Sequence, residues 1–144
     1  MRIFTLSTGL ALSALLVACA VPTLDQRQAI SWLDAKTEAP DLDVSGAWES
    51  VNGFMSGGWG NASLVQNGAK VTGTLGLYTI DGKIAGKKLY AMILSGNKVF
   101  YTAILEPTKD GGLAGTAVSK VLADDPEARV AERAPLQLAR PKAK

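Results

Sequence analysis

The sequence contains no histidine and only one cysteine, Cys19, among its 144 residues. Without histidine the chain has no Ser-His-Asp triad, no imidazole metal ligand and no side chain whose ordinary pKa lies near neutrality. With one cysteine it has no intrachain disulfide and no cluster of thiolates for zinc. Because the usual general base and thiol nucleophile are missing, we expect a protein that is not an enzyme and that holds no metal or other cofactor.

Strong charge of either sign is also missing. The 15 basic and 13 acidic side chains leave a net charge of +2, and the basic residues are dispersed until the tail at residues 140–144. A nucleic-acid-binding protein needs a concentrated positive face that neutralises several phosphates, so we expect no nucleic-acid partner. The glycines are not followed by the Lys-Ser/Thr pair of a phosphate-binding loop.

The beginning of the chain has the parts of a secretory signal. Arg2 supplies the positive charge, residues 10–17 form a Leu/Ala-rich core, and residues 3–24 carry no charge. A membrane-spanning helix is the alternative, since about 20 apolar residues cross a bilayer. Serine, threonine and glycine residues dilute the stretch and Pro22 ends it, which favours export of the chain with removal of the signal.

The signal ends in Leu16-Val17-Ala18-Cys19. This run resembles the lipobox of bacterial lipoproteins. The resemblance implies cleavage after residue 18 and a diacylglyceryl group on the Cys19 thiol, with acyl chains such as palmitate holding the protein to a membrane. Alanine rather than aspartate follows the cysteine, which by the same resemblance implies delivery to the outer membrane of the cell envelope, facing the periplasm or the outside.

The chain therefore divides into a signal peptide at 1–18, a lipid anchor and tether with a short helix at 19–43, a domain at 44–140 and a basic tail at 141–144. Thr23 and Gln26 have the spacing of a capping box, and Ala29, Ile30 and Leu33 form an apolar stripe with Trp32 away from its centre. A second short helix is predicted over residues 126–132, because Asp125-Pro126-Glu127 has the pattern of an N-cap followed by proline rather than of a calcium site.

From residue 44 the pattern is that of an all-β domain. Short apolar or alternating runs are separated by turn signals such as Asn67-Gly68 and Asp81-Gly82. The short connections favour a meander, and closing it removes its exposed edges, which predicts a small antiparallel eight-stranded up-and-down barrel. The predicted strands are 44–51, 61–66, 70–78, 83–85, 88–95, 98–106, 112–121 and 135–139.

Two of these strands, 89–94 and 99–105, are apolar on both faces. Alternation places Val99 and Tyr101 on the same face of their strand. A strand that is apolar on both faces needs cover on both. The short helix, a partner protein or lipid can supply the outer cover, and we favour the helix because large apolar patches are uncommon on monomers.

The first strand carries Gly46-Ala47-Trp48. This Gly-x-Trp resembles the calycin group of small barrels, which includes lipocalins and avidins. The resemblance implies that Trp48 is a structural plug across one end of the barrel. The group also includes periplasmic protease inhibitors, some of them lipoproteins, which gives an alternative function as an envelope protease inhibitor or assembly accessory.

Candidate binding residues lie in the Gly-rich segment 52–61, where Phe54, Met55 and Trp59 offer apolar contact. The alternative is that these side chains fold back to close the barrel. Two functions stay open: carriage of a small apolar molecule inside the barrel, and binding of an envelope protein through this segment. The interior cavity of a carrier would be lined by residues such as Leu64, Val71, Leu75, Tyr90 and Tyr101, and Tyr78 is a further candidate.

Overall fold

A computed structural model describes residues 23–51 and 58–143 of the chain. In this part of the chain one α-helix precedes eight β-strands, and a short 3-10 helix, Pro126–Arg129, lies between the last two. The all-β class and the short N-terminal helix are therefore confirmed. The elements are α1 (Gln26–Asp34), β1 (Gly46–Ser50), β2 (Ala62–Asn67), β3 (Lys70–Leu75), β4 (Tyr78–Ala85), β5 (Lys88–Ser95), β6 (Lys98–Pro107), β7 (Leu113–Ser119) and β8 (Arg133–Ala139).

Each strand pairs in antiparallel fashion with the next, and β1 pairs with β8, so the sheet closes into an up-and-down barrel. This confirms the predicted topology and is compatible with a calycin-like fold. Alternate connections lie at opposite ends of such a barrel. We call the end with the β1–β2, β3–β4, β5–β6 and β7–β8 connections the mouth end, and the end with the β2–β3, β4–β5 and β6–β7 connections the base end.

The barrel interior is a single apolar cluster to which all eight strands contribute. Leu64, Val71 and Leu75, from β2 and β3, are buried in it and contact the inward side chains of the neighbouring strands. Thr72 and Thr74 point outward and are exposed, because successive side chains of a strand alternate between its two faces. The β2–β3 hairpin therefore has the apolar inner face and polar outer face that its sequence predicts.

A second cluster lies outside the barrel, where α1 packs on β5 and β6. Ala29, Trp32 and Leu33 are the buried residues of α1, so the predicted intramolecular cover is confirmed. The predicted stripe is wrong at one position: Ile30 is 42% exposed and Trp32 is buried instead. The predicted start is also wrong, because Leu24 pairs with Val99 as a β-bridge and Asp25 caps the helix by accepting the Arg27 N–H.

The connection between β3 and β4 also differs from the prediction. Asp81 and Gly82 lie in the middle of β4, and the turn is formed by Gly76 and Leu77. Gly76 has φ +56°, a conformation suited to glycine in a tight turn. A Cβ atom at Gly82 would lie 2.6 Å from the Tyr90 carbonyl oxygen, so glycine there allows β5 to approach closely.

The predicted face of Val99 is wrong because β6 contains a bulge. Ile93 pairs with Tyr101, but Leu94 pairs with Val99, which leaves Phe100 as an extra residue. The extra residue reverses the alternation, so Val99 belongs to the outer cluster while Tyr101 packs against the interior. β6 therefore contacts the interior cluster through Tyr101 and the outer cluster through Val99, although simple alternation places both residues on one face.

The second predicted helix is shorter than its sequence suggests. Asp125 is its N-cap and accepts the Glu127 N–H at 2.8 Å, as the pattern predicts. The helix is a single 3-10 turn over Pro126–Arg129, and the chain then returns to β8. The backbone carbonyl oxygen of Glu132 accepts the Ser119 N–H there, which joins the two ends of this connection.

Candidate functional site

The base end of the barrel is closed by Trp48 and Arg140. The Trp48 indole is buried, and its Nε1–H donates to the Val44 carbonyl oxygen at 2.8 Å. The Arg140 guanidinium carbon lies 3.7 Å from the ring centroid, and Nη1 donates to the carbonyls of Ser45 and Ala47. A stacked guanidinium both covers the ring and satisfies backbone acceptors.

Trp48 therefore lies where the resemblance expects a plug. The sequence alone places Arg140 at the start of the basic tail, because no local spacing connects it to Trp48, 92 positions earlier. Only the closure of the barrel, in which Glu49 pairs with Ala139, brings the two ends of the domain together.

The mouth end contains three packed aromatic rings. Trp59 lies 5.2 Å from Tyr101 and 5.9 Å from Tyr78, and the two tyrosine rings are 6.1 Å apart, measured between centroids. Trp59 is buried, and its Nε1–H donates to the Pro135 carbonyl at 2.9 Å. Burial, followed by the influence of Tyr78, raises the pKa of Tyr101. Two of the three ring pairs are edge-to-face and the third is tilted, so the rings pack together at the mouth end.

The structure therefore brings together Trp59, Tyr78 and Tyr101 from the predicted binding residues. Whether they bind a ligand stays a prediction, but the Trp59 indole is turned inward. Phe54, Met55 and the lipidation candidate Cys19 lie outside the described residues.

Tyr90 lies apart from that group, on the outer wall beside α1. Its ring is 5.7 Å from Trp32 in an edge-on contact, and Lys36 Nζ is 4.8 Å from its centroid. Asp124, from the β7–β8 connection, accepts both the Trp32 Nε1–H and a hydrogen bond from Lys36 Nζ, each at 2.8 Å. We call Trp32, Lys36 and Asp124 the clasp, because they join α1 to the β7–β8 connection.

The clasp favours an ionised Asp124. Partial burial alone would raise the pKa of this carboxyl, but the hydrogen bonds from Lys36 and Trp32 outweigh burial and lower its pKa. The clasp was not predicted from the sequence. Asp124 and Trp32 are 92 positions apart, and the neighbouring Asp125-Pro126 pattern explained the local carboxylates as a helix start.

An open groove of about 500 Å³ lies between α1 and the outer wall formed by β3 and β4. Its large apolar residues are the exposed Ile30 and the buried Leu33 and Met92, and its charged residues are Asp34, Lys70, Asp81 and Lys83. Lys70 and Lys83 face each other across the two strands. Among the described residues, none of the four charged side chains forms an ion pair with another. We call this feature the outer groove.

The outer groove was not predicted either. The feature that could have indicated it is the pairing of Lys70 with Lys83, and this pairing is known only once the register of β3 and β4 is known. The false turn at Asp81-Gly82 hides that register, because it makes Lys83 the first residue of a separate predicted strand, 83–85, whereas β4 already begins at Tyr78. Like charges directly opposite each other destabilise a sheet, so the pair needs a compensating role or full solvation.

Neither a metal site nor a membrane-spanning helix is found in the described part of the chain. No group of three or more acidic, histidine or cysteine side chains there could hold a metal ion. No helix in residues 23–51 or 58–143 is long and apolar enough to cross a bilayer. Comparison of the chain with protein-family models, curated proteins and solved structures finds no match.

Proposed function

We propose that this chain is a non-catalytic, lipid-anchored protein of the bacterial cell envelope that binds a protein partner in the outer groove. One observation carries the proposal: the exposed Ile30 lies in a groove among four charged side chains that form no ion pairs within the described part of the chain, outside a barrel whose inward side chains pack together. The absence of histidine and of a free thiol beyond Cys19 supports a binding role rather than a catalytic one.

The interior gives a carrier function little support. Leu64, Val71 and Leu75, which would line its cavity, contact their neighbours in the interior cluster, and Tyr90 belongs to the outer wall. Pockets for small apolar ligands are concave and enclose most of the ligand surface. We therefore propose no ligand inside the barrel.

The chemistry of the outer groove favours a protein over a small apolar molecule. Ile30, which is 42% exposed, offers an apolar contact above the buried Leu33, and charges of both signs surround it. Protein interfaces commonly have this arrangement of an apolar centre and a polar rim. A partner with one apolar anchor and with charges complementary to Lys70 and Lys83 would relieve the repulsion between the two lysines.

The proposed anchor is the acylated thiol of Cys19, which would keep the domain at a membrane surface, the outer membrane by the lipobox resemblance. Two or more acyl chains give stable binding where one gives marginal binding. The intact mass of the mature protein tests this part directly. We expect a chain that begins at Cys19 and carries the mass of the acyl groups, and a chain that retains Met1 would contradict it.

The partner is tested by site-specific photo-crosslinking in the producing bacterium. A photoreactive residue at Ile30, in the outer groove, is compared with the same residue at Val65, which is 62% exposed on the wall at β2. We expect a discrete crosslinked protein from position 30 that is absent from position 65. The double variant Lys70→Glu, Lys83→Glu should abolish it.

Two outcomes would contradict a partner in the outer groove. The first is the same crosslinked product from positions 30 and 65, and the second is a product from position 30 that survives the charge reversal. Circular dichroism of the double variant serves as the control for folding, because both lysines are at least partly exposed and their replacement leaves the core intact.

A further inference from the structure

The N-terminal segment enters the domain at the mouth end. The Leu24 N–H donates to the carbonyl of Val99, the second residue of β6, next to the β5–β6 turn. The chain then follows α1 along the outer wall and reaches the base end, where Pro40 pairs with Gly86 in the β4–β5 turn. The segment that precedes Leu24 therefore leaves the domain at the mouth.

The distance between Cys19 and the domain is short. Whatever the arrangement of residues 20–23, five Cα-to-Cα steps span at most about 17 Å. The wall built by the eight-residue strand β5 is about 20 Å high once the strand tilt of a barrel is included. Acyl chains on Cys19 would therefore hold the mouth end closer to the lipid than the base end.

Exposed apolar side chains are concentrated at the same end. Five large apolar residues are exposed among the described residues, and three of them lie in mouth-end connections: Val51 at 58%, Leu77 at 100% and Val130 at 89%. The other two are Ile30 in the outer groove and Val65 on the wall. The described base-end hairpins have none, while exposed charged residues occur at both ends, such as Lys109 at the base and Lys120 at the mouth.

We propose that the mouth end docks on the phospholipid bilayer, with Leu77 and Val130 inserted at the headgroup boundary. This inference rests on the proposed anchor at Cys19. Apolar side chains at the interface add a second attachment to that of the acyl chains and fix the orientation of the domain. The base end then points away from the membrane, and the outer groove opens at the side of the barrel, where a protein partner can reach it.

The orientation is tested with a fluorescent label on single introduced cysteines. Acylation consumes the Cys19 thiol, so the introduced cysteine is the only free one in the mature protein. Leu77→Cys and Val130→Cys report on the mouth, Lys109→Cys on the base and Val65→Cys on the wall. The acylated proteins are reconstituted in phosphatidylethanolamine and phosphatidylglycerol vesicles, with and without bromine on the acyl chains, because bromine quenches fluorescence only at short range.

We expect quenching and a blue shift for labels at 77 and 130, and neither for the label at 109. Three results would overturn the inference. If the proteins float with the vesicles but label 109 is quenched as strongly as label 77, the orientation is wrong while the anchor stands. If label 65 alone is quenched, the domain lies on its side. If the mature protein is unacylated and stays in solution, the proposed anchor fails, and the orientation fails with it.

Discussion

The hydrogen bond between Trp32 and Asp124 in the clasp helps to hold α1 on the barrel, and its contribution to stability can be predicted. Trp32→Phe keeps a large apolar side chain beside Met92 but removes the Nε1–H that donates to Asp124. A hydrogen bond to a charged acceptor contributes about 1.5–3 kcal/mol. The Asp124 side chain is 42% exposed, so water replaces part of the interaction, and we expect the bond to contribute about 1 kcal/mol to the free energy of unfolding.

A double-mutant cycle isolates this contribution. Trp32→Phe, Asp124→Ala and the double variant are unfolded by urea, followed by circular dichroism, in a chain that starts at Ala20. Asp124→Ala also removes the ion pair with Lys36, whether position 32 is Trp or Phe. The contribution of that ion pair therefore cancels in the cycle. We expect an interaction energy of about 1 kcal/mol between positions 32 and 124, which corresponds to a change in Tm of about 4 °C for a domain of this size.

An exposed ion pair supplies the matched control. Lys87 and Asp41 are 2.8 Å apart, but their side chains are 70% and 71% exposed. Such pairs contribute about 0.5 kcal/mol or less, so Asp41→Ala should leave the urea midpoint almost unchanged. An interaction energy between positions 32 and 124 that lies within about 0.3 kcal/mol of zero would refute the reasoning.

The same interaction predicts a dependence on pH. The folded protein lowers the pKa of Asp124 below its ordinary value of 3.8, so it favours the ionised carboxylate. This contribution to stability is complete above the ordinary pKa and is lost as the pH falls through the lowered value. We therefore expect the difference in stability between the natural chain and Asp124→Asn to be present at neutral pH and to disappear in strong acid. A difference that grows on acidification would contradict this sign.

Three other substitutions, one of them paired with a control substitution, test the packing of the barrel by urea unfolding. Arg140→Lys should cost about 1 kcal/mol, because lysine cannot stack on Trp48 and donate to the backbone together; an unchanged midpoint would count against the stacked guanidinium. Gly115→Ala should cost about 3 kcal/mol or more, because a Cβ there collides with the Ile104 carbonyl. Gly96→Ala is its control: the new Cβ meets open space, and the substitution costs about 1 kcal/mol for its positive φ. Equal costs would disprove the collision. Trp59→Ala should cost about 3–5 kcal/mol, and a neutral result would mean that the indole is not packed in the mouth.

The architecture was predictable because several local signals agree. Alternation gives the strands, Asn67-Gly68 gives a hairpin, and the short connections give a meander that closes on itself. The doubly apolar strands β5 and β6 predicted a cover, and α1 supplies it. Each of these features depends on residues that are close together in the sequence, so the periodicity of apolar residues is enough to predict it.

The errors arose where a local signal competes with contacts from distant residues. Asp81-Gly82 has the composition of a turn, but its glycine serves the close approach of β5. The bulge at Phe100 reverses the face of Val99 with no signal in the residue types. The clasp and the outer groove each join segments that are far apart in the chain, so they become visible only when the strand register is known.

Three features of the molecule depend on α1. Its buried face covers the outer wall of β5 and β6, its exposed Ile30 forms part of the outer groove, and the bridge between Leu24 and Val99 fixes where the chain leaves the domain. Because the helix is only nine residues long, its own hydrogen bonds cannot keep it folded in isolation. Packing on the barrel wall and the contacts of the clasp must therefore keep the helix folded. Removing the Asp124 carboxylate would therefore disturb both the outer groove and the bridge between Leu24 and Val99, although this carboxylate belongs to neither.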